Sequence, residues 1–114
     1  MAVANNEQLV PEVPAAGVPD GGMLLDVREA YEWAAGHVPA ALHIPLGELG
    51  SRAGEVPRDD TIYVICRSGN RSAYAAAALN RAGWSAVNVA GGMQEWAAAG
   101  RPMVSETGAA PTVA

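Results

Sequence analysis

The sequence predicts an α/β fold, a central and mostly parallel sheet with helices on both faces. Three observations predict it. Aliphatic and β-branched runs at 23–27, 61–65 and 85–89 alternate with helix-forming stretches, the order that builds parallel sheets from strand–helix units. The runs 23–27 and 61–65 are apolar almost throughout, as strands covered on both faces are. Glycines, prolines and Asp-Gly or Gly-Gly pairs sit between the runs and punctuate them. At 114 residues the chain has room for one domain with one proper core.

Taken in order, residues 1–8 are polar and aperiodic and read as a loosely ordered N-terminus. Prolines at 11, 14 and 19 exclude a helix from Leu9 to Val18 and leave an edge strand or extended segment near Val10–Val13. Asp20-Gly21-Gly22 is a turn into the strand 23–27. Arg28–Ala35 reads as a short helix ended by Gly36, His37-Val38-Pro39 as a loop, and Ala41–Ile44 as a short strand stopped by Pro45. Leu46–Ala53 reads as one to two helical turns with Leu46 and Leu49 inward. Strand 61–65 leads through a short polar loop into a helix over 72–82, which starts on a serine and is closed by Gly83. Strand 85–89, the turn Ala90-Gly91-Gly92 and a helix over 93–99 complete a single domain spanning 9–103. The tail 104–114, rich in Ala, Thr, Pro and Gly, reads as extended or mobile.

Composition narrows the function. A net charge of −5 argues against nucleic acid or an anionic membrane as a partner. No apolar run approaches the ~20 residues that span a bilayer, and the N-terminus has no basic region followed by an apolar stretch. The expectation is a cytoplasmic protein whose thiol stays reduced. One cysteine excludes an intramolecular disulfide and a multi-cysteine zinc site.

That cysteine opens the loop Cys66-Arg67-Ser68-Gly69-Asn70-Arg71-Ser72 at the carboxyl end of a predicted strand, where open α/β sheets bind ligands. Gly69 and Asn70 tolerate the left-handed backbone of a tight wrap. Successive N–H groups then turn inward, and the start of the following helix adds unsatisfied donors and positive dipole. Arg67 and Arg71 bring two cations that can hold an oxyanion bidentately. Cations and a helix N-terminus favour the thiolate, so the loop reads as a nucleophile facing an anionic substrate; the alternative is an inert buried cysteine.

Asp26 and Arg28, at another strand end, read as a structural ion pair or as supporting catalytic groups. His37 and His43 lack the cysteine or carboxylate pattern of a metal site and read as loop braces or surface residues. Trp33, Trp84 and Trp96 sit among apolar residues and read as core or rim packing, with an aromatic acceptor site as the alternative.

With these residues in view, the sequence resembles the rhodanese family, and within it the small single-domain sulfurtransferases. The likeness covers about 10–103 in four blocks: Leu24-Leu25-Asp26-Val27-Arg28-Glu29, Gly36-His37-Val38-Pro39 through Ile44-Pro45-Leu46, Val64-Ile65 with the Cys66–Ser72 loop, and Gly91-Gly92-Met93-Gln94-Glu95-Trp96. Ala40 departs from the family, which usually has glycine there. The resemblance implies a three-layer sandwich around a mostly parallel five-stranded sheet. It also implies ping-pong sulfur transfer: Cys66 attacks the sulfane sulfur of a small anionic donor such as thiosulfate, forms a persulfide, and yields the sulfur to cyanide or a thiol, a protein thiol included. On this reading Arg67 and Arg71 orient the donor, Ser68, Gly69, Asn70 and Ser72 complete the cradle, and no metal or organic cofactor is needed. Cysteine phosphatases space nucleophile and arginine as Cys-x5-Arg; here the spacing is Cys-x4-Arg, with Ser72 at the phosphatase position. That rival, a non-catalytic interaction module and redox sensing at Cys66 are the alternatives.

Overall fold

A computed structural model describes residues 10–114; the N-terminus 1–8 lies outside the described residues. Among the described residues five strands form one sheet in the order β1-β5-β4-β2-β3: β1 (Glu12–Pro14), β2 (Met23–Asp26), β3 (Leu42–His43), β4 (Thr61–Ile65) and β5 (Ser85–Ala90). Every neighbouring pair is parallel, with Asp26 beside Ile65 and Val64 beside Asn88 in the register. Among the described residues there are also four helices, α1 (Ala30–Ala35), α2 (Leu49–Arg52), α3 (Asn70–Arg81) and α4 (Gly92–Ala98), and three 3-10 turns.

Strand alternation divides the core in two. Leu25, Ile62, Val64 and Ala86 face Leu49 of α2 and Ala75, Ala76 and Leu79 of α3. Leu24, Ile65 and Val89 face Met93 and Trp96 of α4 and the 3-10 residues Ala15 and Val18. The expected covering of both faces is what makes β2 and β4 read as unbroken apolar runs.

Several boundaries differ from expectation for identifiable reasons. The helix expected from Arg28 begins at Ala30, because the Arg28 side chain and amide are drawn back onto Asp26 and Glu29 becomes the N-cap in a capping box with Glu32. The strand expected over 41–44 shortens to Leu42–His43, although Ile44 and Leu46 still donate to Asp26 and Val27. The edge strand near 10–13 lies at 12–14, where Pro14 ends it on the edge. The helical turns over 46–53 resolve into α2 flanked by 3-10 turns at 46–48 and 53–55. The central helix starts at Asn70 instead of Ser72: Gly69 takes φ 107 and alone makes the left-handed corner, so Asn70 is already helical.

Residues 104–114 carry no helix. Val104 forms a β-bridge with His37, the amides of Glu106 and Thr112 donate to the carbonyls of Ala34 and Ala35, and Val113 packs on the second core cluster. Thr112 passes so close to Gly36 that a Cβ there would strike its carbonyl oxygen.

Ala40 is the one non-glycine residue with positive φ among the described residues, at 67°. The departure noticed in the sequence therefore carries backbone strain, and its exposed side chain makes little return. Ala40→Gly is expected to raise the unfolding free energy by about 1 kcal/mol, read from denaturant unfolding against the parent; no gain would mean that the turn is unstrained.

Candidate active site

The carboxyl end of β4 delivers Cys66 beneath the first turn of α3. The residue is 1% exposed. Gly69 N–H points at Sγ from 3.1 Å and Ser72 Oγ lies 3.2 Å away. Burial pushes the Cys66 thiol up, but the Ser72 hydroxyl and the amides of Ser72, Gly69 and Ser68 outweigh it, so the net shift is downward.

The loop is clamped from behind. Met93 N–H donates to the Cys66 carbonyl at 2.8 Å and Gln94 N–H to the Arg67 carbonyl at 3.0 Å. In a trans peptide C=O and N–H point opposite ways, so turning these carbonyls toward α4 turns the following amides, those of Arg67 and Ser68, toward the sulfur side. Gly92, at φ 56, makes the approach possible: a Cβ there would strike the Cys66 carbonyl oxygen and sit 2.7 Å from Arg67 backbone atoms.

The two arginines of the loop are both engaged. Arg71 makes a bidentate pair with Glu32 at 2.8 and 2.9 Å, its side chain 34% exposed and that of Glu32 4%. Two of its five donors are thereby used. Arg71 is held more firmly charged by the Glu32 hydrogen bonds, with the nearby Cys66 charge adding to them, and Glu32 is held below the usual carboxylate range chiefly by the Arg71 hydrogen bond. Arg67 is exposed, and its Nε donates to the Ala114 carbonyl at 3.0 Å. Ser68 and Asn70 are exposed at the rim, while Gly69 and Ser72 are buried.

Asp26 and Arg28 stand beside this site, fully buried and bonded to each other at 2.7 Å. Arg28 also donates to the carbonyls of Glu32 and Gly36, at 3.2 and 2.8 Å. The pair thus fixes α1, and α1 presents Glu32 to Arg71. Trp33 stacks between His37, 3.5 Å away centroid to centroid, and His43 at 4.7 Å; His43 donates to the Arg28 carbonyl and His37 meets Glu106. Trp84 and Trp96 are buried. Among the described residues no three His, Cys, Asp or Glu side chains cluster as metal ligands, and no helix is long and apolar enough to cross a membrane.

Reading the sequence alone missed Glu32 and Asn88. Glu32 is signalled locally by the Glu29-x-x-Glu32 capping spacing, though not its reach to Arg71. Asn88, 1% exposed on β5, accepts from Ser72 Oγ at 2.6 Å and donates to the Gly69 carbonyl at 3.1 Å and to Glu12 at 2.7 Å. Its only signal is a polar side chain inside an apolar strand.

The model of the rhodanese-like domain matches residues 12–99. The chain belongs to the rhodanese-like domain family. A sulfurtransferase of Allochromatium vinosum is 39% identical over 87 residues, covering 75% of this chain and 81% of that protein. YrkF of Bacillus subtilis, which is named as a sulfur carrier protein, is 47% identical over 74 residues; the match takes in 64% of this chain but only 40% of YrkF. The crystal structure of a rhodanese-related protein from Thermoplasma volcanium superposes with a TM-score of 0.78 at 36% identity, over 82% of this chain and 97% of that chain.

Glu32→Gln keeps the shape of the side chain but removes the charge that anchors Arg71. It is expected to cost about 1–3 kcal/mol of stability at neutral pH. Because the Glu32 carboxyl is lowered on folding, its contribution is complete above the ordinary carboxylate range and lost as pH falls through the lowered folded value. Denaturant unfolding at a series of pH values should therefore show the two proteins converging in acid; a difference that persists there would assign the loss to something other than charge.

Proposed function

We propose that this rhodanese-like domain is a sulfurtransferase that moves a sulfane sulfur from a small anionic donor such as thiosulfate to a nucleophilic acceptor, cyanide or a thiol, through a persulfide on Cys66. The observation that carries the reading is the convergence of the Ser68, Gly69 and Ser72 amides and the Ser72 hydroxyl on one sulfur. The amides among them are fixed in advance and stabilise the anion without reorganising as the reaction proceeds. The relatives named for sulfur transfer and sulfur carriage support the same chemistry.

The thiolate attacks the outer sulfur of thiosulfate. An Sγ–S bond forms, the S–S bond to the sulfonate breaks, and sulfite leaves with the electron pair. The acceptor then bonds the outer sulfur, and the Sγ–S pair returns to Cys66. Arg71, through the donors that Glu32 leaves unused, and Arg67, on leaving the Ala114 carbonyl, orient the sulfonate. A protein thiol is included among the acceptors, in keeping with the carrier-like relative. A reducing compartment such as the cytoplasm keeps the nucleophile free.

Phosphoester chemistry is disfavoured by the same geometry. A residue 1% exposed suits a small donor better than an ester, and the position of a phosphatase arginine holds Ser72, whose side chain is buried and turned toward Sγ and Asn88.

Intact-mass measurement after incubation with thiosulfate tests the proposal. Wild type should gain the mass of one sulfur, cyanide should remove it, and Cys66→Ser should gain nothing. A wild type that stays unmodified at millimolar donor would defeat the assignment of thiosulfate, and retention of the adduct by Cys66→Ser would defeat the nucleophile.

A further inference from the structure

Cys66 Sγ and Asn88 Oδ1 compete for a single proton. Ser72 Oγ lies 3.2 Å from the sulfur and 2.6 Å from the amide oxygen, yet a hydroxyl has one hydrogen to donate. The amide cannot turn to relieve the conflict. Its Nδ2 faces the Glu12 carboxylate at 2.7 Å and the Gly69 carbonyl at 3.1 Å, both acceptors, so its oxygen must face Ser72. Ser72 is 0% and Asn88 1% exposed, which leaves water little room to substitute.

We propose that Asn88 is a positioning residue for the sulfur chemistry: it holds the Ser72 hydroxyl proton while Sγ is uncharged and releases it to Sγ when Sγ is a thiolate. This deepens the reading above and rests on Cys66 being the reacting sulfur. In the thiol, S–H points at Ser72 Oγ and Ser72 donates to Asn88. When the thiol proton leaves for solvent, the Ser72 hydrogen turns onto Sγ and Asn88 Oδ1 loses its donor. When the thiolate takes up sulfur, its electron pair becomes the Sγ–S bond, the negative charge moves to the outer sulfur, and the hydroxyl turns back to Asn88. When the acceptor removes that sulfur, the bond pair returns to Sγ and the hydroxyl follows it. Asn88 therefore opposes the resting thiolate and relaxes once the persulfide has formed.

Charged groups also stand on the elements around the cradle, and of these Arg71 interacts with the charge on Cys66. They are Arg71 of α3 with Glu32 of α1 behind it, Arg67 of the loop, Glu12 of β1 behind Asn88, the buried Asp26–Arg28 pair beside β2, and Glu95 in the first turn of α4. The test has to separate the hydroxyl from these charges, and a double-mutant cycle does so.

Cys66 is the only cysteine, so the ultraviolet absorbance of the thiolate reports its titration directly. The cycle compares wild type, Asn88→Ala, Ser72→Ala and the double variant. Ser72→Ala is expected to raise the midpoint. Asn88→Ala is expected to lower it by about half to one pH unit, the worth of one exchanged hydrogen bond. The double variant should titrate with Ser72→Ala. An Asn88→Ala shift of equal size in the Ser72→Ala background, or no shift at all, overturns the proposal. If Asn88→Ala does not fold, Asn88→Leu, which removes the acceptor while keeping most of the volume and every charge, takes its place in the cycle under the same criteria. The titration uses no sulfur donor, so its result is independent of whether thiosulfate loads the protein.

Discussion

The site depends on one backbone constraint, the direction in which the Cys66 and Arg67 carbonyls point. The first turn of α4 holds both, and each held carbonyl commits the next amide to the sulfur side. The clamp requires α4 to begin almost in contact with the loop, which the absence of a Cβ at Gly92 permits. Gly69 then closes the cradle at φ 107 and lets α3 start immediately. Helix α4 is thus part of the site although the hydrogen bonds to the sulfur come from Gly69 and Ser72. The link from the Gly91-Gly92 sequence to thiolate stabilisation runs through peptide geometry rather than charge.

Charge has been spent elsewhere. Asp26 binds Arg28, Arg28 binds the backbone of α1, and Glu32 of α1 binds Arg71. The result is a rigid line from the centre of the sheet to the rim of the cradle, with each charge opposed by a neighbour. A strong cation field around Cys66 would favour any anion; a neutralised Arg71 with donors still in hand favours one that fits its geometry. The overall charge of −5 points the same way, since it gives the chain little long-range attraction for anions.

Most of the architecture was legible in the sequence because it rests on local signals. Strand β4 falls on the expected residues, and the order of strands and helices follows the alternation of apolar runs. The carboxyl-end position of Cys66 followed from that order alone. What was not legible depends on partners distant in the chain. Arg71 read as a free cation because nothing near it in sequence announces Glu32, thirty-nine residues away. Asn88 read as an ordinary strand residue because only the sheet order, which sets β5 beside β4, brings it to Ser72. The start of α3 was misplaced by two residues because serine is a strong N-cap signal, whereas here a left-handed glycine replaces side-chain capping. Ala40 was noticed as a departure, but its φ of 67° appears only in three dimensions.

Hydrogen-bond accounting explains why so few groups can respond when charge moves on the sulfur. Among the described residues every buried side-chain nitrogen and oxygen already has a partner. A charge appearing on Sγ therefore meets no idle buried side-chain donor and is answered inside the cradle by amides already aimed at it or by a group that changes partner. The amides are set by the backbone, that of Ser68 by the α4 clamp, and keep one direction whatever the state of the sulfur, favouring the thiolate over the thiol throughout. Ser72 differs: its single hydrogen has two acceptors within reach, both buried, and one of them gains and loses charge in the reaction we propose. The rigid donors set the baseline affinity of the site for an anion, and the one movable donor distinguishes the states of the sulfur. This division follows from placing one hydroxyl between the Cys66 sulfur and an amide whose orientation Glu12 and Gly69 have already decided.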